Sequence, residues 1–388
     1  MQCQTSSIST GRFAAIDVGA SKIAIAVGEV NASHIDILSL TSHRSAGIAK
    51  GIFIDIAAAS AAIQRAVQEV EVKLGQKIAD VVMTLSGAHV RSHDSWGTTV
   101  VEGGTVSQAD LDRALLVANA APIAASDDVL ATFVQDYKVD GNAGVKRPIG
   151  MAGNRLDVLV HRLTIGSTSV VNQLVSSTNA GLHAKGLVPQ SYAASRAVIT
   201  KQELAEGVCL ADIGAGTTDI AAYIGGELRC LTSVPIGGED ITSDIANALH
   251  TSYQLAEELK ITHGIALEAI SSSTKRISGG AGAKLQITVG YLARLIQPRV
   301  EEIFFKIREE LERSGVLHNL RHGVVLTGGT ANLSGMVELG EEVFHFLVRI
   351  GTPNCVGVSN DISQAPEYSA VIGALFGGYV NSALAAKR

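Results

Sequence analysis

Apolar positions along the chain fall into two textures. Short runs rich in Val, Ile and Ala at 13–16, 23–27, 35–40 and 81–85 predict strands, the first two joined by a tight turn. Between the last two runs, Ile63, Val67, Val70 and Leu74 recur at helical spacing, behind Asp55 as an N-cap and ahead of Gly75 as a stop. Strands alternating with a helix predict a mixed α/β domain. Past residue 90 the pattern changes. Ser107 and Asp110 approximate a capping box, with Asp in place of Glu or Gln. Leu111, Leu115 and Ala118 form a stripe behind it, and strand-like runs at 129–134 and 156–163 flank a glycine-rich loop. The stretch 90–161 reads as a small inserted α+β subdomain. A second α/β unit begins near Gly207, with strands at 208–213 and 220–223. The tract 271–283 reads as a flexible loop. Pro298 is placed to open a helix that carries Val300, Ile303, Ile307 and Leu311 on one face and ends at Gly315. A short strand at 324–326 runs into Thr327-Gly328-Gly329.

Composition narrows the classes. A chain of 388 residues exceeds one core, and at roughly 100–200 residues per domain predicts two or three units. With 46% hydrophobic and 18% charged residues it is not a disordered chain. A net charge of −6 without a long basic run argues against nucleic acid as a partner. Cys3, Cys209, Cys230 and Cys355 contain no CxxC pair, which fits a reducing compartment rather than a disulfide framework. The first ten residues are polar and carry no signal-peptide core, so a cytoplasmic location is expected. The uncharged stretch 368–386 approaches the ~20 residues of a membrane span. Ser369, Asn381, Ser382 and several Gly and Ala make it read instead as a packed small-residue helix.

One pattern occurs twice. Asp17-Val18-Gly19-Ala20-Ser21-Lys22 and Asp212-Ile213-Gly214-Ala215-Gly216-Thr217-Thr218-Asp219 each sit between apolar strands, with the leading Asp residues 195 positions apart (212 − 17). That spacing predicts one supersecondary unit used once per domain. Glycine turns present backbone N–H groups to an anion, and Ser21, Thr217 and Thr218 add hydroxyl donors. Asp17 and Asp212 do not suit direct contact with phosphate. They suit, through water, a Mg²⁺ ion that keeps most of its hydration shell. Lys22 offers a point charge to a phosphate. Gly328-Gly329-Thr330 lets backbone approach a base or ribose, and the turn at Gly237-Gly238 is placed to complete the pocket. Glu257 and Lys260, three apart on a predicted helix, are candidates for ribose or base contacts, against the alternative of a solvated helix face. There is no GxxxxGK[ST] loop and no GxSxG elbow. His89/His93 and His318/His322 have helical spacing but no third ligand nearby, and read as surface histidines.

These elements, in this order, resemble the nucleotide-binding segments of the actin superfamily, with connecting segments near 190–196 and 370–375. Within it the chain closely resembles the FtsA family of bacterial cell-division proteins over nearly its whole length. The strings that carry this are VGEV at 27–30, SGAH at 86–89, Val139-Asp140-Gly141 followed by Pro148-Ile149-Gly150-Met151, DIGAGTTDIA, VPIGGEDITSDIA, Ile296-Gln297-Pro298-Arg299, VVLTGG and Pro366-Glu367-Tyr368-Ser369-Ala370. The resemblance implies an actin-like ATPase fold, two related α/β domains around a cleft that encloses ATP and Mg²⁺. The first domain is expected at 1–86 with 163–195 and 366–388, and the insert at 87–162. The second is expected at 196–232 with 305–365, and its subdomain at 233–304. The resemblance further implies protofilaments of the chain with itself, other division proteins as partners, and binding of the FtsZ carboxyl-terminal tail to 233–304. Arg299 is the candidate contact, against the alternative of a helix-surface charge.

Slow or absent ATP hydrolysis is expected, with Asp212 and Asp219 placing Mg²⁺ or water. Two departures bear on this. Ala215 stands where many relatives have Gly, which fits unless the position needs positive φ. Ser191-Tyr192-Ala193-Ala194-Ser195 stands where many have Glu-Pro-Leu-Ala-Ser, removing a Glu suited to orienting water. Relatives close with a basic amphipathic helix that lies on the membrane. Attachment to the inner membrane face at the division site is therefore expected only through a terminal helix not present in this sequence. The alternatives are a related pilus-assembly scaffold and, with no second-substrate motif to support it, a small-molecule kinase.

Overall fold

Two five-stranded sheets built to one plan organise the computed structural model of the chain, which describes residues 11–30, 35–87, 89–271, 274–278, 286–354 and 364–376. The first runs His183–Pro189, Asp80–Leu85, Gly11–Val18, Lys22–Val30, Ile35–Arg44; the second runs Val348–Ile350, Val324–Thr327, Val208–Ile213, Thr218–Ile224, Glu227–Val234. In each, a three-stranded antiparallel meander is extended by two parallel strands. The repeat visible at the two Asp-x-Gly turns thus extends to the whole sheet. The near-continuous apolar content of the central strands follows from burial on both faces.

Local sequence sets the first helix as expected. Asp55 accepts a hydrogen bond from the Ala58 N–H at 2.9 Å, Gly75 ends the helix Ile56–Leu74 at φ +65, and Ala62, Ile63, Ala66, Val67 and Val70 are buried against the sheet. The inserted segment folds as a three-stranded antiparallel sheet, Val90–Val100, Arg155–Gly166, Asp127–Val139, with the helix Gln108–Asn119 on one face. Ser107 and Asp110 form the reciprocal capping box. Val106, Leu111, Ala114, Leu156, Val158 and Val160 give the insert its own core. Within the insert, the strand Val90–Val100 is the one that patterning missed. Its stretch Arg91-Ser92-His93-Asp94-Ser95 is polar, and the strand is held by pairing rather than apolar content.

The insert also reaches the second sheet. Gln135 Nε2 donates to the Leu228 carbonyl at 2.6 Å, and the Leu231 N–H donates to Ser92 Oγ at 3.4 Å. Leu130, Leu163 and Ile165 join its other side to the core of the first sheet.

Two expectations are corrected, and a third is met. Pro298 lies inside the helix Val289–Arg313 rather than opening it. Thr288 caps the true start, and Leu292, Ala293 and Ile296 continue the buried stripe of Val300, Ile303 and Ile307, so packing outweighs the hydrogen bond the proline removes. The tract read as a loop at 271–283 contains the strand Arg276–Ser278, paired with Gln286–Thr288; residues 272–273 and 279–285 lie outside the described residues. In the stretch 368–386, the helix Ser369–Leu375 is wholly buried, as a packed small-residue helix should be, and 377–388 lie outside the described residues. Among the described residues no helix is long and apolar enough to cross a membrane.

That helix packs on Gln190–Val198 between the two sheets. The contact is close because Gly373 has no side chain: a Cβ there would lie 1.8 Å from the Ala193 carbonyl oxygen. Gly373→Ala is therefore expected to cost about 1–3 kcal/mol in urea unfolding through overpacking. An unchanged midpoint would show that the two helices do not pack this closely in solution.

Candidate functional site

The two Asp-x-Gly turns close identically. The Gly19 N–H donates to the Lys22 carbonyl at 3.0 Å, and the Gly214 N–H donates to the Thr217 carbonyl at 2.9 Å. Gly19, Gly214, Ala215 and Gly216 all lie outside the left-handed region. Close approach, not backbone sign, is what demands glycine here. A Cβ on Gly19 would lie 3.0 Å from Lys22 O, on Gly214 3.1 Å from Thr217 O, and on Gly216 3.0 Å from the Lys50 backbone. An alanine at 215 carries no strain from positive φ, which settles that departure.

Strand pairing sets two carboxylates opposite each other and gives a third its hydroxyl partner. Asp212 pairs with Asp219 across the second hairpin, and the parallel pair Ile16 and Met83 sets Thr84 beside Asp17. Asp17, Asp212 and Asp219 are buried, at 7%, 2% and 3% exposure. The Thr84 hydroxyl donates to Asp17, and Gln190 Nε2 donates to Asp212 Oδ2 at 3.1 Å. Ser86 Oγ donates to Asp219 Oδ2 at 2.7 Å, and Thr217 Oγ1 to the same oxygen at 3.1 Å. Burial pushes the Asp212 carboxyl up to about 8, and the charges of Asp219 and Asp17 push the same way. Burial raises Asp219 to about 6 against the hydroxyls that hydrogen-bond it. Asp17 is raised by burial and pulled back by Thr84 and Lys22. Burial lowers Lys22, while Glu367, Asp17 and Asp212 support its charge; its ammonium lies 4.1 Å from the centre of the Tyr368 ring. The seam thus holds a surplus of acid groups that burial drives toward the neutral form. A cation beside these carboxyls would favour their charged forms. Among the described residues no three His, Cys, Asp or Glu side chains converge to hold a metal ion.

The remaining candidates build the walls. The Gly238 N–H donates to the Gly214 carbonyl at 3.0 Å and the Glu239 N–H to the Ala215 carbonyl at 2.8 Å. Gly237 makes this possible, since a Cβ there would lie 2.5 Å from Ala215 O. Gly328, at φ +86, faces Asp212 so closely that a Cβ would lie 2.4 Å from Oδ1. Beside it, a Cβ on Gly329 would lie 3.8 Å from Glu367 Cβ. A depression of about 460 Å³ opens just past this turn, lined by 331–338 and Ile350.

Several donors that the sequence pointed at a ligand hold protein carbonyls instead. Thr218 Oγ1 donates to Ile236 O at 2.9 Å and Thr330 Oγ1 to Gly214 O at 2.9 Å. Lys260 Nζ donates to Gly238 O at 2.9 Å and Thr242 Oγ1 at 2.7 Å, and pairs with Glu257 at 2.7 Å. These groups position the turns. Ala20 and Ser21 form the tip of the first hairpin, with Ser21 exposed. Arg299 does not join this site. Its guanidinium grips Asp244 in two hydrogen bonds at 2.7 and 3.0 Å and Glu302 at 2.5 Å. Thr84, Ser86 and Gln190 carry no local signal as contacts to the carboxylates: parallel pairing sets Thr84 beside Asp17, and Ser86 and Gln190 reach Asp219 and Asp212 from the first sheet's side of the seam.

Comparison with known proteins places this geometry. The family description "Cell division protein FtsA" matches residues 209–373, and "SHS2 domain inserted in FTSA" matches residues 87–164. The cell division protein FtsA of Pseudomonas aeruginosa is 37% identical over 377 residues, covering 96% of this chain and 90% of that protein. That of Neisseria meningitidis is 38% identical over 365 residues, covering 93% and 88%. That of Escherichia coli is 33% identical over 374 residues, covering 94% and 89%. Among solved structures, a chain of the PilM–PilN type IV pilus biogenesis complex superposes with a TM-score of 0.67 at 18% identity, covering 95% of this chain and 98% of that one. MreB5 of Spiroplasma citri bound to ADP superposes at 0.52 with 13% identity, covering 95% of each chain. The fold is actin-like α/β, as expected from the sequence.

The raised carboxyls make stability depend on pH. Asp212 ionises near 3.8 when unfolded and near 8 when folded. The folded state therefore holds the proton over that interval, and its stability falls as pH rises from about 4 to about 8. Asp212→Asn, which fixes the neutral form, is expected to melt higher than wild type at pH 8, with the gap closing toward pH 4. A gap that did not change with pH would contradict the assigned burial.

Proposed function

The chain belongs to the FtsA family of bacterial cell-division proteins, and from that premise we propose that it binds ATP with Mg²⁺ between its twin hairpins, assembles into protofilaments and tethers FtsZ filaments to the cytoplasmic membrane at the division septum. The observation that carries the nucleotide reading is the pair of identically closed hairpins, one per sheet, each led by a buried carboxylate. In this reading the backbone of Gly19, Ala20, Ser21, Gly214, Ala215 and Gly216 cradles phosphate, with Lys22 and Thr217 adding charge and a hydroxyl. Asp17 and Asp212 hold the hydrated ion, whose charge offsets that of the phosphates. Gly237, Gly238, Gly328 and Gly329 line the base and ribose side. Glu257 lies at its edge, while Lys260, Thr218 and Thr330 keep its turns in place.

Hydrolysis is proposed to be weak. Gln190 donates to Asp212, and Ser191 Oγ donates to the Ile220 carbonyl at 3.3 Å, so neither supplies a carboxylate base for water. Asp219, tied to Ser86 and Thr217, is the remaining candidate to place water. Nucleotide then acts chiefly by favouring the closed state.

The same proposal divides the chain into a first domain of 1–86, 163–195 and 366–388, an insert of 87–162, a second domain of 196–232 and 305–365, and a partner-binding subdomain of 233–304. The FtsZ tail would meet Arg299 in competition with Asp244 and Glu302. Attachment to the membrane is proposed to be peripheral, through an amphipathic helix of the kind the family carries. A pilus-assembly scaffold is the second reading; the superposition on the PilM–PilN chain favours it only at the level of fold.

Titration of ATP with Mg²⁺ and of an FtsZ tail peptide tests this. Asp212→Ala is expected to weaken ATP binding at least about tenfold, or ~1.4 kcal/mol, and to leave the peptide affinity unchanged. Arg299→Glu should do the reverse. ATP affinity unaltered by Asp212→Ala would remove the ion-holding role.

A further inference from the structure

A second element of the first domain crosses the seam. The short strands Ile48–Ala49 and Ile52–Phe53 form a hairpin whose turn, Lys50-Gly51, has φ +47 and +74. Lysine rarely occupies this left-handed region, and persists there only when surroundings hold it. Here the turn is wedged among glycines. A Cβ on Gly51 would lie 2.8 Å from both Gly87 Cα and Ser86 O. A Cβ on Gly216 would lie 3.0 Å from Lys50 N and Cα, and 3.4 Å from Ala20 Cβ. The turn therefore rests its backbone on the second hairpin, with the tip of the first alongside.

From this perch Lys50 Nζ donates to the Pro235 carbonyl at 3.1 Å and pairs with Asp240 Oδ1 at 2.9 Å, across 190 positions of sequence. The acceptor is itself fixed, because Asp240 Oδ2 accepts the Gly237 N–H at 2.9 Å at the start of the helix Gly238–Ala248. Deeper in the seam, Ser86 Oγ and Thr217 Oγ1 lie 2.9 Å apart and both converge on Asp219 Oδ2, at 2.7 and 3.1 Å. The seam thus has an inner tie of hydroxyls and carboxylate and an outer charged pair, with Lys50 45% and Asp240 20% exposed.

We propose that Lys50 and Asp240 form a latch across the mouth of the cleft, holding the two halves together without ligand and slowing the passage of a nucleoside triphosphate past the hairpins. Passage of nucleotide rests on the ATP reading above; closure does not. The pair differs from an ordinary surface ion pair in its mounting. One partner stands on a strained, wedged turn and the other on a helix cap, so little side-chain searching accompanies its closing. Its exposure keeps it weak enough to open.

The test compares Lys50→Met, Asp240→Asn and the double variant; asparagine at 240 retains an acceptor for the Gly237 N–H. In nucleotide-free protein, amide exchange over 48–53 and 214–218 is expected to quicken about two- to fivefold in each single variant. The double variant should show no more than the larger single effect, because both changes remove one contact. About 0.5 M salt should quicken exchange in wild type and barely alter Lys50→Met. Release of a fluorescent ATP analogue should accelerate by a similar factor. Unchanged exchange in Lys50→Met, or independent and additive effects of the two changes, would overturn the latch. If the exchange results hold while wild type fails to bind the analogue, the latch stands and the ATP reading falls.

Discussion

Negative charge confined in a poorly solvated seam is the constraint around which this molecule is arranged. Three carboxylates with one neighbouring ammonium would repel one another strongly if all were ionised. The fold accommodates them by hydrogen bonds from Thr84, Ser86, Thr217 and Gln190, and by leaving Asp212 readily protonated. Such an arrangement is a poor way to gain stability, and strongly shifted buried carboxyls of this kind mark functional sites. The close packing around it, with Gly328 against Asp212 and Gly237 against the second hairpin, keeps the groups from relaxing outward into solvent.

The duplication explains why the preparation is symmetrical. Each half supplies the same meander, the same turn closure and a leading Asp at the same strand position. The halves then diverge at the residue opposite. Asp17 pairs with Ala24, whereas Asp212 pairs with Asp219, so the second hairpin carries the extra acid. A shared scaffold thus gives an asymmetric electrostatic field, with the greater burden on the side nearer Gly237 and Gly328.

What could be read from the sequence was what is local. The turns at Asp17 and Asp212, the caps at Asp55 and Ser107, and the strands around the hairpins depend on residues a few positions apart. The direction of a side chain was not legible. Thr218, Thr330 and Lys260 look like ligand donors on composition, but neighbouring turns claim their hydrogens. Nor were long-range partners legible: Ser86 meets Asp219 and Lys50 meets Asp240 across the seam between the two sheets, where no local pattern joins them. Pro298 misled for a related reason, since the stripe that overrides it begins nine residues upstream at Val289.

That the insert is bonded at Gln135 and Ser92 to the second sheet, while Leu130, Leu163 and Ile165 join the core of the first, has a mechanical consequence. A block fastened to both jaws of a hinge cannot stay still when the jaws part. It must either shear along one fastening or swing with the motion, and its outer edge, farthest from the pivot, then travels more than the jaws do. An insert so placed would act as a lever arm, converting a small opening between the two Asp-x-Gly turns into a larger displacement at its outer edge.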